Sequence, residues 1–181
     1  MKTKLIHVFS ILICLVSALV FAGNENFEKI KGQAEKGIVS AQFKLGIMYF
    51  KGQETSQDYK EALKWFRRAA EQGLPEAQHN LGVMYYEGKG VSQNYTEALK
   101  WFSKAAEQNS PKAQYNLGVL YASGVGVPQD NIKAYAWMSL AYSNGYTKAK
   151  DNILILNKAM TASEMQKAEI EATKLRKNFK K

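Results

Sequence analysis

The residues able to carry chemistry are few and widely spaced. Two histidines, His7 and His79, and one cysteine, Cys14, are the only imidazole and thiol groups in 181 residues. One cysteine excludes an internal disulfide framework and a Cys-cluster zinc site. Two histidines give too little material for a His-built metal centre or a catalytic triad. His79 would need a nucleophile or paired carboxylate held beside it, and no spacing points to one. Gly88-Lys89-Gly90 and Gly124-Val125-Gly126 have the look of phosphate-cradling loops. A dinucleotide fingerprint, however, needs a strand before it, a helix after it and a third glycine. These two segments follow helical patterns and recur at a fixed interval, so turn geometry accounts for them. No cofactor or metal site is expected.

The charge is +9, from 25 basic and 16 acidic side chains. It is unevenly placed: residues 146–181 hold nine basic and four acidic residues, with Lys174, Arg176, Lys177, Lys180 and Lys181 clustered at the end. Basic groups at a helix C-terminus favour the helix dipole, and a solvated tail is the ordinary outcome. The functional alternative is weak contact with an anionic membrane surface or an acidic partner.

Residues 1–22 read as an address label. Met1-Lys2-Thr3-Lys4 is basic, Leu5 to Phe21 carries no charged residue, and Val20-Phe21-Ala22 fits a small-x-small cleavage site. Cleavage would take away Cys14, His7 and two lysines, so that +9 becomes +7 on residues 23–181, with no transmembrane span left. An uncleaved anchor is the alternative, since the apolar run borders on the roughly 17–25 residues that span a bilayer. Export to the periplasm or beyond follows from this reading and disfavours nucleic acid as a partner.

What would position any site is a repeat. Ala41, Ala77, Ala113 and Ala149 recur every 36 residues, as do Leu45-Gly46, Leu81-Gly82 and Leu117-Gly118. Tyr49, Tyr85 and Tyr121 follow the same interval, then Ala62, Ala98 and Ala134, then Trp65, Trp101 and Trp137. A period of this length means stacked helix pairs, each burying its neighbour's apolar face. The divisions are an N-terminal capping half-repeat at 23–37, repeats at 38–73, 74–109 and 110–145, and C-terminal capping helices with a basic tail at 146–181.

Within a unit, Ala41, Leu45, Met48 and Tyr49 mark one face of a first helix. Pro75 and Pro111 suit its start, where the first amide has no helical partner, and Ser110 is a candidate cap. The second helix opens at Asp58, Asn94 or Asp130, with Glu61 and Glu97 completing capping boxes. Gly73, Asn109 and Gly145 supply the left-handed residue that closes it. Gly46 reads as a place where another helix backbone approaches closely. Thr161-Ala162-Ser163-Glu164 is a further capping box, opening a last helix.

The pattern A-x-x-x-L-G-x-x-Y-x-x-G-x-G-V followed by A-L-K-W-F-x-x-A-A resembles the Sel1-like repeat, a relative of the tetratricopeptide repeat. Ala77, Leu81, Gly82, Tyr85, Gly88, Gly90, Val91, Ala98, Trp101, Phe102, Ala105 and Ala106 carry it in the second unit. Unit one departs at Glu54-Thr55, and unit three at Ala136 and Met138. The resemblance implies an all-α, right-handed α-solenoid of stacked antiparallel helix pairs. It also implies a binding scaffold or adaptor, exported in many bacterial members, active in envelope signalling or host contact, with no shared catalytic residues. Some cysteine-rich members have been credited with hydrolysing β-lactams, but the regularly spaced cysteine pairs they rely on are absent here. A cell-wall or host-surface binder is a third reading.

A second stripe runs along the first helices: Phe43, Ile47 and Phe50, then His79, Val83 and Tyr86, then Tyr115, Val119 and Ala122. In tetratricopeptide-like solenoids the first helices line the concave face. These positions would then form an apolar, aromatic groove rimmed by Ser40, Glu76 and Lys112, fit for a protein or peptide segment. The other reading is that the stripe packs on the next unit.

Overall fold

A computed structural model describes residues 25–179. The leader assigned to 1–22 and the last two lysines of the tail lie outside the described residues. A first helix, α1, occupies 25–35. Three helix pairs follow: α2 (Val39–Lys51) with α3 (Tyr59–Glu71), α4 (Pro75–Glu87) with α5 (Tyr95–Glu107), and α6 (Pro111–Ser123) with α7 (Asn131–Ser143). The chain then forms α8 (Ala149–Ala159) and α9 (Ala162–Phe179). Each pair packs internally and on the next pair, giving an all-α solenoid with the 36-residue period.

The core is the periodic set of small and large residues. Ala62, Ala98 and Ala134 are wholly buried, as are Leu45 and Leu81, and Phe66 and Phe102 are almost so. α1 closes one end by burying Phe27, Ile30 and Ala34 against Ala41, Leu45, Met48 and Trp65. At the other end α9 turns away from α8 and lies along α7. Its Ala168 and Ala172 are buried with Ala134, Tyr135 and Met138, and Phe179 stacks on Trp137 at 6.0 Å.

Three local expectations are corrected. The first concerns Gly46 and Gly82, which make room for a ring and not for a helix backbone. A Cβ on Gly82 would stand 2.6 Å from Cδ1 of Phe102, and one on Gly46 equally close to Phe66. In unit three Met138 replaces the ring, and a Cβ on Gly118 would meet its Cγ at 2.5 Å.

The second concerns the capping boxes of α3 and α5, which are only half formed. Asp58 accepts from the amides of Lys60 (2.8 Å) and Glu61 (3.1 Å), and Asn94 accepts from the amide of Glu97 at 3.0 Å. The glutamates do not reach back, because the Asp58 and Asn94 amides already donate to the carbonyls of Tyr49 and Tyr85 at 2.9 Å. Glu61 and Glu97 accept instead from the indole N–H of Trp65 (3.1 Å) and Trp101 (3.2 Å). Each buried tryptophan thereby keeps a partner for its one polar atom. The Thr161–Glu164 box, by contrast, is complete in both directions, at 2.8 and 3.3 Å.

The third concerns Ser110, whose side chain makes no cap bond. What anchors the starts of α2, α4 and α6 is a buried glutamine. Gln42, Gln78 and Gln114 donate to the carbonyls of Ala34, Ala70 and Ala106 at 3.3, 3.1 and 3.3 Å. They accept from Gln72, Gln108 and Asn144 at 2.7, 2.8 and 2.9 Å. Gln114 has no exposed surface. An amide so deeply buried is tolerated only because both ends of it are bonded.

Candidate interaction groove

The loops after α2, α4 and α6 are fastened to the ends of those helices. Gln57, Gln93 and Gln129 donate to the carbonyls of Phe50, Tyr86 and Ala122 at 2.9, 2.8 and 2.8 Å. The stripe residues therefore sit on anchored backbone. All nine are half-buried. Phe43 packs on Phe66 at 5.8 Å and His79 on Phe102 at 5.8 Å. Phe50 meets Tyr59, and Tyr86 meets Tyr95, edge to face at 5.3 and 5.4 Å. Aromatic pairs of this geometry contribute about 0.5–1.5 kcal/mol beyond their area. The Lys89 ammonium stands 5.3 Å over the Phe50 ring, so that end of the stripe is partly covered by the next unit's loop.

Between α4 and α6 the stripe opens into a cleft of about 250 Å³. Val83, Tyr86, Tyr115 and Val119 line it, joined by Phe102, Asn116 and Glu87. The structure thus brings four of the stripe residues to one concavity. Phe43, Ile47 and Phe50 lie one unit away, against the core around Phe66. Glu76 and Lys112 are exposed and line a different cleft, of about 380 Å³, with Pro75, Pro111 and Tyr146. They do not rim the apolar one.

A polar ladder beneath the stripe went unread in the sequence. Asn116 approaches Nε2 of His79 at 3.2 Å, and Asn152 donates to the Tyr115 hydroxyl at 2.9 Å. Asn80, Asn116 and Asn152 recur at the repeat interval, and that was the available signal. His79 Nδ1 also lies 3.2 Å from Asn80 Oδ1. A neutral ring protonated on Nδ1 satisfies both contacts. Burial holds its pKa below the ordinary 6.5; the Asn80 contact opposes this and the Lys112 charge reinforces it.

The folded chain therefore resists a proton that the unfolded chain accepts near 6.5. The stability that His79 contributes is full above that pH and is lost as pH falls below it. His79→Phe, which copies Phe43 of unit one, is expected to flatten the acid limb of a plot of urea midpoint against pH between about 7 and 5. An unchanged limb would place the titration elsewhere.

Stacked antiparallel helix pairs at a 36-residue period define an α-solenoid, a fold that typically mediates protein–protein interaction. The Sel1 repeat model matches residues 39–74, 75–110 and 111–146. The chain belongs to the Sel1 repeat family.

Among solved structures it resembles a Sel1 repeat protein from Oxalobacter formigenes, with 41% identity and a TM-score of 0.64 over 71% of this chain and 97% of that one. It also resembles c5321, described as a protective antigen of uropathogenic Escherichia coli displaying an SLR fold. That likeness has 29% identity and a TM-score of 0.66 over 84% of this chain and 41% of that one. A curated relative is the secretory immunoglobulin A-binding protein EsiB of Escherichia coli O6:H1 strain CFT073. It is 43% identical over 69 residues, which are 38% of this chain and 14% of the relative. Among the described residues no helix is long and apolar enough to cross a membrane.

Proposed function

We propose that this chain is an exported, non-enzymatic scaffold that captures a segment of a protein partner along α4 and α6. The observation that carries this reading is the cleft lined by Val83, Tyr86, Tyr115 and Val119. It offers apolar and aromatic surface for anchoring side chains, with the Asn116 amide and Glu87 carboxylate to orient a backbone. Membership of a family whose fold mediates protein interaction supports it, as does a relative named for binding secretory immunoglobulin A. The short stretch shared with that relative does not specify the same partner. Export rests on the leader pattern at 1–22, and the basic tail adds weak attraction to an anionic surface.

Photo-crosslinking tests this in intact cells. With p-benzoylphenylalanine in place of Val83 or Val119, one discrete adduct is expected. The same probe at Lys100, on α5, is expected to give none. Adducts of equal yield from all three positions would contradict a groove. For the rival enzyme reading, nitrocefin should show no turnover with the purified protein; turnover lost in His79→Ala would overturn the scaffold reading. Pull-down on murein sacculi decides the cell-wall alternative.

A further inference from the structure

The last helix pair breaks the rule that the first three obey. α3, α5 and α7 each pack on the helix before them, whereas α9 leaves α8 and lies on α7. Leu154 stands at the register position of Gly46, Gly82 and Gly118, all three of which are buried under a second helix. With no helix over it Leu154 is 49% exposed, Ile155 64%, and Tyr142 of α7 45%. Tyr142 and Leu154 meet at one cleft and Ile155 follows Leu154 on α8; exposed apolar side chains that adjoin in this way mark an interaction site more often than a free surface. The cleft between α7, α8 and α9 holds about 260 Å³ and is lined by Tyr142, Ile153 and Leu154 among others.

The charge around this face is mixed but mostly basic, with one exposed carboxylate on α8, Asp151, a turn before Leu154 and Ile155. Lys150 and Lys158 sit one helical turn to either side of Leu154, on the same face of α8, and both are exposed. Arg176 enters the cleft from α9. The one carboxylate lining the cleft, Glu169, is already engaged: it accepts from the Tyr135 hydroxyl and pairs with Arg176 at 3.5 Å. An occupant would therefore meet leucine and isoleucine flanked by two ammonium groups that make no ion pair among the described residues, with the single carboxylate of Asp151 beside them.

We propose that the open face of α8 docks an acidic amphipathic helix of a partner protein, in the place where a fourth second helix would stand. A helix is the shape that covers α2, α4 and α6 in this molecule, and acidic flanks complement Lys150 and Lys158. A second copy of the chain would set the same lysines against each other. A flat anionic bilayer would not enter a cleft framed by three helices.

The test uses the full chain and two labelled probe peptides of about four helical turns, both with leucines at helical spacing. One carries glutamates on its polar face and the other lysines. Fluorescence anisotropy is expected to show binding of the acidic probe only. That binding should weaken at least about tenfold in Leu154→Gln/Ile155→Gln and fall with added salt. Both leucine and isoleucine are exposed, so the variant should melt like the parent. Tyr86→Ala should leave the binding unchanged, which separates this face from the groove. Equal binding of both probes, or full binding to the double variant, would overturn the proposal. So would sedimentation showing a dimer that the variant dissociates, or cosedimentation with phosphatidylglycerol vesicles lost in the variant without peptide binding.

Discussion

Phe102→Ala is expected to remove about 3–5 kcal/mol of folding free energy, a large share of the roughly 5–15 available to a domain. The ring is only 2% exposed and lies at the junction of α4 and α5, against the face of Gly82. His79 leans on it at 5.8 Å, and it also forms part of the cleft wall. Deleting it opens a cavity that anchored helices cannot collapse to fill. The pairing with Gly82 gives a sharper test. Gly82→Ala alone should cost about 1–3 kcal/mol, because the new methyl meets the ring and forces one of the two aside. Combined with Phe102→Leu, the same alanine should cost clearly less than in the parent, a coupling of at least about 0.5 kcal/mol. Urea denaturation followed by helical circular dichroism measures all four corners of the cycle. Strict additivity would mean that Gly82 is small for some other reason.

Gly90→Ala is the second large effect. Gly90 has φ +71°, in the left-handed region, and its missing Cβ would overlap the carbonyl group of Tyr59, with the carbonyl carbon only 2.6 Å away. Tyr59 is the first residue of α3, so this contact joins unit two to unit one. The left-handed conformation costs an L-residue about 1–2 kcal/mol, and the overlap adds about 1–3. Gly126 repeats the arrangement against Tyr95. In unit one the same position is Glu54, which keeps a positive φ of 60°. Its carboxylate accepts from the Asn26 amide at 3.0 and 2.7 Å. Because stability in a repeat array is a sum of unit and interface contributions, Gly90→Ala should split the melting curve or lower its steepness. Glu54→Gly should leave the steepness unchanged. A single sharp transition for Gly90→Ala, displaced by less than about 1 kcal/mol, would show that the loop contact does not couple the units.

The helix pairs and their register were legible because Leu-Gly, Tyr and Trp return at one unbroken interval, and each return marks a buried or half-buried position. What filled each position was harder to read. Gly46 signals that something large comes close, but a glycine cannot say whether that is a backbone or the Phe66 ring. Glu61 and Glu97 stand where capping glutamates stand, and only the location of the Tyr49 and Tyr85 carbonyls shows why they turn to the tryptophans. Gln42, Gln78 and Gln114 repeat as faithfully as the leucines, yet polar residues count against burial until their partners 30 residues later are in place. The stripe on the first helices was visible from spacing. That Val83, Tyr86, Tyr115 and Val119 share a cleft, while Glu76 and Lys112 belong to another, depends on how far adjacent units splay. The departure of α9 from α8 had no counterpart elsewhere in the chain to reveal it, apart from Leu154 in a glycine's place.

The most direct measurement of groove capture takes the partner recovered by crosslinking and titrates it against Tyr86→Ala/Tyr115→Ala. Both rings are half-buried and line the cleft between α4 and α6. Affinity should fall by at least about tenfold, as when aromatic anchors leave an interface, while the helical melting curve stays cooperative. Unchanged affinity with the fold intact would contradict capture along this stripe.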